Sequence, residues 1–231
     1  MNFLKLIKHF TKFELFLWIF SLISILVVSI LSKSNFLNIL SSLIGVTSLI
    51  FIAKGYPFGQ FLVCIFAILY GIISLSFSYY GEMITYVFMS LPIAFVTGIS
   101  WFKHPFKKGE SEVKVEKIAL KKFILLFFIS LVVTFIFYFI LKYFNTPNLI
   151  FSTISIFTSF FACMLLLNRS QLFSILYACN DIILIILWSL ASRENITYLP
   201  TVICFCVFLI NDLYGFYNWG KIKRKQNNVK F

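Results

Sequence analysis

The stretch FILLFFISLVVTFIFYFIL, residues 123–141, runs for nineteen side chains without a charge; only Ser130, Thr134 and Tyr138 bring a hydroxyl. Helix rises 1.5 Å per residue, so about 20 such residues cross the roughly 30 Å hydrocarbon layer of a bilayer. A run this long and apolar reads as a membrane span. Working outward from it, the same pattern recurs, with spans expected over 15–32, 36–53, 58–80, 84–102, 123–142, 148–168, 172–191 and 199–219. Of 231 residues, 61% are hydrophobic and 12% charged, against about 45–50% apolar and about 25% charged in a soluble domain. Mean hydropathy is +0.97. So little polar surface cannot cover the chain in water, and lipid is its expected solvent. Inside lipid each backbone amide needs an internal partner, which long helices supply, so the expected fold is all-α with about eight transmembrane helices. Short loops between most spans make successive helices antiparallel neighbours. Pro57, Pro147 and Pro200 sit near helix starts, where a missing N–H costs little, but Pro92 lies inside the fourth span and predicts a kink there.

The formal charge of +12 raises the question of nucleic acid. Its placement answers it. With the N-terminus cytoplasmic, seventeen Lys and Arg fall on the inner side and only Lys33, Lys142 and Arg193 on the outer. That asymmetry is the positive-inside pattern of a multi-pass protein in a bacterial-type inner membrane, with both termini cytoplasmic. The basic charge is a topology signal and a contact for anionic lipid, not a nucleic-acid surface. The first apolar run is too long for a signal-peptide core, and no small-residue cleavage site follows over Ile30–Ser34, so it reads as a retained helix.

Catalytic chemistry finds little support. Cys64, Cys163, Cys179, Cys204 and Cys206 all lie in apolar runs and read as small hydrophobes; Cys204-Phe205-Cys206 lacks zinc spacing. His9 and His104 sit in charged flanks, and no zinc-protease, P-loop or nucleophile-elbow motif occurs. No enzyme, cofactor or metal is expected.

Spans two to four and six to eight read as two copies of one unit. Thr47-Ser48 matches Thr158-Ser159, Ile84-Thr85-Tyr86 matches Ile196-Thr197-Tyr198, and Trp101-Phe102-Lys103 matches Trp219-Gly220-Lys221, in the same order. One helix between two three-helix units makes the copies parallel, a known transporter plan. The expected organisation is therefore a basic segment and extra helix over 1–35, a three-helix repeat over 36–102, a loop and linker helix over 103–146, a second repeat over 147–219, and a basic tail over 220–231.

Polar groups within spans are costly and turn toward protein or water. Gln60, Cys64, Ala67, Gly71, Ser74 and Ser78 share one face of the third span. Close helix packing accounts for the small members, whereas Gln60 asks for more. In the seventh span Tyr177, Asp181 and Trp188 share a face beside Asn180; in the eighth, Asn211, Tyr214 and Asn218 share one with Asp212 alongside. Two readings are open, a solute site or an interhelical tether. A proton relay through either aspartate has no basic partner in its span.

These residues resemble a family, the PnuC vitamin transporters, known for nicotinamide riboside uptake. The resemblance runs from Gly45 to Lys225 and is carried by Ala53-Lys54-Gly55, Phe58-Gly59, Tyr70, Tyr80-Gly81-Glu82-Met83, Leu91-Pro92, Gly98, Trp101-Phe102-Lys103, Tyr214-Gly215 and Trp219-Gly220-Lys221. It implies a SWEET-like fold of two three-helix bundles and a linker helix. It further implies facilitated diffusion without a coupling ion, made one-way by a cytoplasmic kinase that phosphorylates the vitamin. One departure stands out. The riboside carriers show a Trp-x-x-Trp-x-x-x-Asn signature on the helix matching the seventh span, and here those positions are Phe173, Leu176 and Asn180.

The expected function is therefore uptake of a vitamin-like nucleoside, nicotinamide riboside first and thiamine or riboflavin as alternatives. Asn180 and Asp181 would hold sugar hydroxyls or ring substituents, Phe173, Tyr177 or Trp188 would flank the ring, and Gln60, Asn211 and Tyr214 would close the far side. The rivals are an intramembrane lipid-modifying enzyme and a docking subunit using the Lys103–Lys122 loop, which reads more simply as a solvated linker with an amphipathic end. A homo-oligomer is compatible with the uniformly apolar outer surface.

Overall fold

The computed structural model describes residues 10–76, 80–194 and 199–229. Among these, eight helices are long and apolar enough to cross a membrane: α1 Lys12–Leu31, α2 Phe36–Ala53, α3 Phe58–Ser76, α4 Tyr80–Lys103, α5 Leu120–Tyr143, α6 Leu149–Leu167, α7 Phe173–Glu194 and α8 Leu199–Asn228. Lys5, Lys8 and Lys230 of the charge count, His9, Ser78 of the third-span face and the Ile196-Thr197-Tyr198 triplet lie outside the described residues.

Local chemistry sets the helix ends. Thr11 and Glu14 cap α1 reciprocally, the Thr11 N–H donating to Glu14 Oε2 at 2.6 Å and the Glu14 N–H to Thr11 Oγ1 at 3.2 Å. Asn35 Oδ1 accepts from the Asn38 N–H at the start of α2. The turn after α2 passes through Gly55 at φ +69°, the left-handed region that favours glycine over any residue with a side chain. The expected kink of the fourth span takes a definite form. Thr85–Ser90 is a wider π-helical turn whose last bond runs from the Leu91 N–H to Tyr86 O, so the ladder is already offset before Pro92 removes its donor.

In the bundle, α2 packs on α3 and α3 on α4; likewise α6 packs on α7 and α7 on α8. These two sets meet where α8 lies against α2 and α4 against α6. Helix α1 covers the α2–α8 seam, and α5 lies against α6 with most of its surface turned outward. Two buried tryptophans pin one end of the seams crosswise. Trp101 Nε1 on α4 donates to Leu166 O of α6 at 3.2 Å, and Trp219 Nε1 on α8 donates to Ile52 O of α2 at 2.9 Å, with ring centroids 5.3 Å apart.

Two expectations are corrected at this end. The 103–119 segment is not a free solvated linker: Val113 is fully buried, its N–H donates to Gly55 O, and the Glu116 N–H donates to Arg169 O, so the segment straps across the α2–α3 and α6–α7 turns. Its lysines made it read as solvated, but alternate residues carry the apolar contacts. The basic tail is not separate either. Helix α8 continues to Asn228 because Ile222 and Gln226 are buried against the strap, Gln226 Oε1 accepting from the Val115 N–H at 2.8 Å and Nε2 donating to Val113 O at 3.0 Å.

Glycine sets how closely α2 and α3 approach. A Cβ on Gly59 would stand 2.8 Å from Ile52 N and 2.8 Å from Ser48 O, both backbone atoms that cannot swing aside. Gly59→Ala is therefore expected to destabilise the protein by about 1–3 kcal/mol, the range for overpacking. The check is the thermal unfolding midpoint of the purified variant, which should fall.

Candidate functional site

A cavity lies between α2, α3, α4, α6, α7 and α8, with about 110 Å³ open to the centre of a water molecule. Each helix contributes polar groups from a face that the rest of the sequence leaves free. Helix α3 supplies Gln60, which is 1% exposed and whose amide oxygen and nitrogen both lack a hydrogen-bond partner. Buried polar groups are almost always paired, so an orphaned amide aimed into a cavity is the signature of a ligand site.

Helix α7 supplies Phe173, Tyr177, Asn180 and Asp181, all of which line the cavity. Thr158 on α6 holds Asn180, its Oγ1 2.8 Å from Oδ1, which commits the carbonyl end of the amide. Tyr177 Oη lies 3.0 Å from Cys163 Sγ, and Phe173 packs edge-on against Trp219 at 4.8 Å, closing the cavity at the strapped end. The carboxyl groups of Asp181 and Asp212 approach each other across the α7–α8 seam at the cavity lining. Glu82 on α4 adds a third carboxyl to the lining, beside Tyr86 and the hydroxyls of Ser155 and Ser159. Among the described residues, neither Lys, Arg nor His faces this cavity.

Three residues expected at the site are elsewhere. Asn211 donates from Nδ2 to Ser21 Oγ of α1 at 3.1 Å and to Val207 O at 2.9 Å. Tyr214 donates its hydroxyl to Glu14 Oε1 of α1 at 2.8 Å. With Asn218, which donates to Ala53 O at 2.8 Å, they form the single stripe that the spacing indicated. That stripe faces α1 and the end of α2, so it is a tether between helices. Trp188 shares the face of Tyr177 and Asp181 but lies about two turns further along α7, where it lines two smaller cavities at the end remote from the strap. At the altered signature positions, Phe173 and Asn180 face the cavity, whereas Leu176 packs into the apolar cluster that holds Trp219 and Phe161.

With this geometry in place, a family model described as nicotinamide mononucleotide transporter matches residues 35–221. The chain belongs to that family. Relatives within it include the nicotinamide riboside transporter PnuC of Neisseria mucosa, 27% identical over 233 residues that span 96% of this chain and 86% of the relative. The protein of the same description from Haemophilus influenzae is 23% identical over 197 residues, 85% of this chain and 84% of its own. Among solved structures, the crystal structure of the vitamin B3 transporter PnuC superposes with a TM-score of 0.83 at 25% identity, covering 94% of each chain. As a member of the nicotinamide mononucleotide transporter family, this protein is a multi-pass membrane transporter and not an enzyme.

Two members of this cavity, Glu82 and Asp212, are not among the residues that the sequence assigns to the site, although Asp212 is noted there beside the Asn211 stripe. Asp212 stands about 100° around α8 from Asn211, so when Asn211 points to α1 the aspartate points inward. Its spacing was available in the sequence, but the rotation of α8 was not.

Proposed function

We propose that the protein carries nicotinamide riboside into the cell through this cavity. The observation that carries the reading is the cavity's charge: three carboxyl groups and no basic side chain. Nicotinamide riboside bears a fixed positive charge on its pyridinium ring and hydroxyls on its ribose. The carboxyls complement the ring, Phe173, Tyr177 and Tyr86 offer aromatic faces, and Gln60 and Asn180 offer amides to hydroxyls or to the carboxamide. Aromatic surface from Tyr177 and Tyr86 takes the part of a tryptophan at Leu176.

The same lining argues for the riboside over the mononucleotide. A phosphate brings about −1.5 to −2 charges at neutral pH and finds no Lys or Arg in the cavity, while the carboxyls repel it. Thiamine, also a cation, is the second reading for the same reason; riboflavin, with no fixed positive charge, is disfavoured.

Transport in this reading is ion-independent facilitated diffusion, the two sets of helices rocking about the cavity, with uptake made one-way by a cytoplasmic kinase acting on the riboside. The strapped end, carrying the lysines of 103–122 and of α8, faces the cytoplasm of a bacterial inner membrane, and both termini lie on that side.

The test is calorimetry on the purified protein. Nicotinamide riboside is expected to bind at least about 100-fold more tightly than nicotinamide mononucleotide, since like-charge juxtaposition costs several kcal/mol. Equal affinity for the two would sink the charge argument. Heat from thiamine alone would keep the site and exchange the substrate.

A further inference from the structure

The second cavity, at the end remote from the strap, is chemically unlike the first. It lies between α1, α2, α3, α7 and α8, with about 60 Å³ open to the centre of a water molecule. Its lining carries the hydroxyls of Ser29, Ser41, Ser42, Ser74 and Thr201 and the amide of Asn38, and, among the described residues, no charged side chain. Ser41 is 2% exposed, yet its Oγ has no hydrogen-bond partner, and Asn38 Oδ1 is likewise buried and unpartnered. Structural serines in helices return their hydroxyl to the preceding turn, as Thr47, Ser76 and Ser130 do here. Ser41 does not, so its hydroxyl is held for something in the cavity.

A thin wall separates the two cavities. Phe66 of α3 and Phe205 and Phe208 of α8 line both, one ring face or edge toward each. Phe208 meets Phe66 at 6.0 Å and Phe205 at 5.7 Å between centroids. Gly45 makes room for this wall, since a Cβ there would stand 2.9 Å from Phe208 Cζ and 3.1 Å from Phe66.

We propose that this second cavity is an outer waiting site for an uncharged, hydroxyl-rich group, the sugar portion of the solute, and that Phe66, Phe205 and Phe208 are the partition it crosses to reach the acidic cavity. Hydroxyls and an amide without charge suit ribose, whereas the cationic ring finds its counter-charge only beyond the wall. The choice of solute rests on the nicotinamide riboside reading; the site itself does not, because its lining and its orphaned donors stand without it.

Native cysteines report on both cavities at once. Cys204 lines the outer one, Cys163 the inner one, and Cys179 is exposed on the outside of α7. Purified protein is labelled with methyl methanethiosulfonate and each cysteine is followed by peptide mass spectrometry. D-Ribose is expected to slow labelling of Cys204 while Cys163 and Cys179 keep their rates. Occupancy at ten times the dissociation constant gives about tenfold protection. Nicotinamide riboside is expected to protect both Cys204 and Cys163. Ser41→Ala, which removes the hydroxyl and adds no bulk, should abolish ribose protection of Cys204 and leave riboside protection of Cys163 intact. Unchanged Cys204 labelling with both solutes overturns the proposal, and so does full ribose protection in Ser41→Ala. Loss of riboside protection at Cys163 would instead count against the function proposed for the central cavity, while the ribose arm at Cys204 still decides the outer site.

Discussion

Replacing Asp181 and Asp212 together by asparagine is expected to weaken nicotinamide riboside binding by about 10- to 100-fold, with little change in stability. The two carboxyls face each other inside the cavity, and an amide pair of the same shape makes the same contact. What the double variant removes is the negative charge. Interactions with a charged partner contribute about 1.5–3 kcal/mol each, which sets the size of the loss. A neutral nucleoside used as a comparison should be unaffected, because only the cation depends on the carboxyls. Glu82→Gln should cost less than the pair, since it removes one carboxyl from the lining rather than two. Calorimetry on folded protein, verified by its unfolding midpoint, reads the result. Unchanged riboside affinity in the double variant would remove charge complementarity from the account.

The second large effect is on stability, and it lies in α1. Glu14 is 1% exposed and serves three partners at once: the Thr11 N–H that caps its own helix, Lys54 Nζ at 3.1 Å in the α2–α3 turn, and the Tyr214 hydroxyl at 2.8 Å on α8. Lys54 also stands 5.6 Å from the Phe10 ring centroid, so its charge sits in a mostly enclosed setting. Removing one member of a buried ion pair typically costs 3–5 kcal/mol, since the remaining charge is left without its counter-ion. Lys54 is 15% exposed, which places Glu14→Ala near the low end of that range, about 3 kcal/mol. In a chain of this length that lowers the unfolding midpoint by on the order of 10 °C. Glu14→Gln keeps an acceptor for Tyr214 and for the cap and should recover part of the loss. A midpoint unmoved by Glu14→Ala would show that α1 docks through its apolar face alone.

These two groups of residues show where sequence reasoning succeeds and where it stops. The membrane spans were legible because crossing a bilayer is a local requirement: about 20 apolar residues, whatever lies beside them. Seven of the eight helices end within a few residues of the expected spans, and α8 runs on only because Gln226 and Ile222 find partners in a strap more than a hundred residues away in the chain. The polar positions of α7 were legible for a similar reason, since Asn180 and Asp181 in an apolar helix must turn inward wherever the interior is. Gln60 was singled out on the same ground and does face the cavity.

What stayed hidden was which inward side is which. Periodicity places Asn211, Tyr214 and Asn218 on one stripe of α8 and Asp212 on another, but it does not say which stripe meets a cavity and which meets a helix. In this protein α1 lies on the first stripe and turns it into a tether, with Ser21, Glu14 and Ala53 O as partners, and leaves Asp212 facing the cavity. The sequence by itself determined that the chain is a bundle of membrane helices with a polar interior and a strong charge asymmetry, because hydropathy and length act residue by residue. Only the tertiary structure decided which polar groups share a cavity, because the rotation of each helix about its own axis is set by the neighbours it packs against.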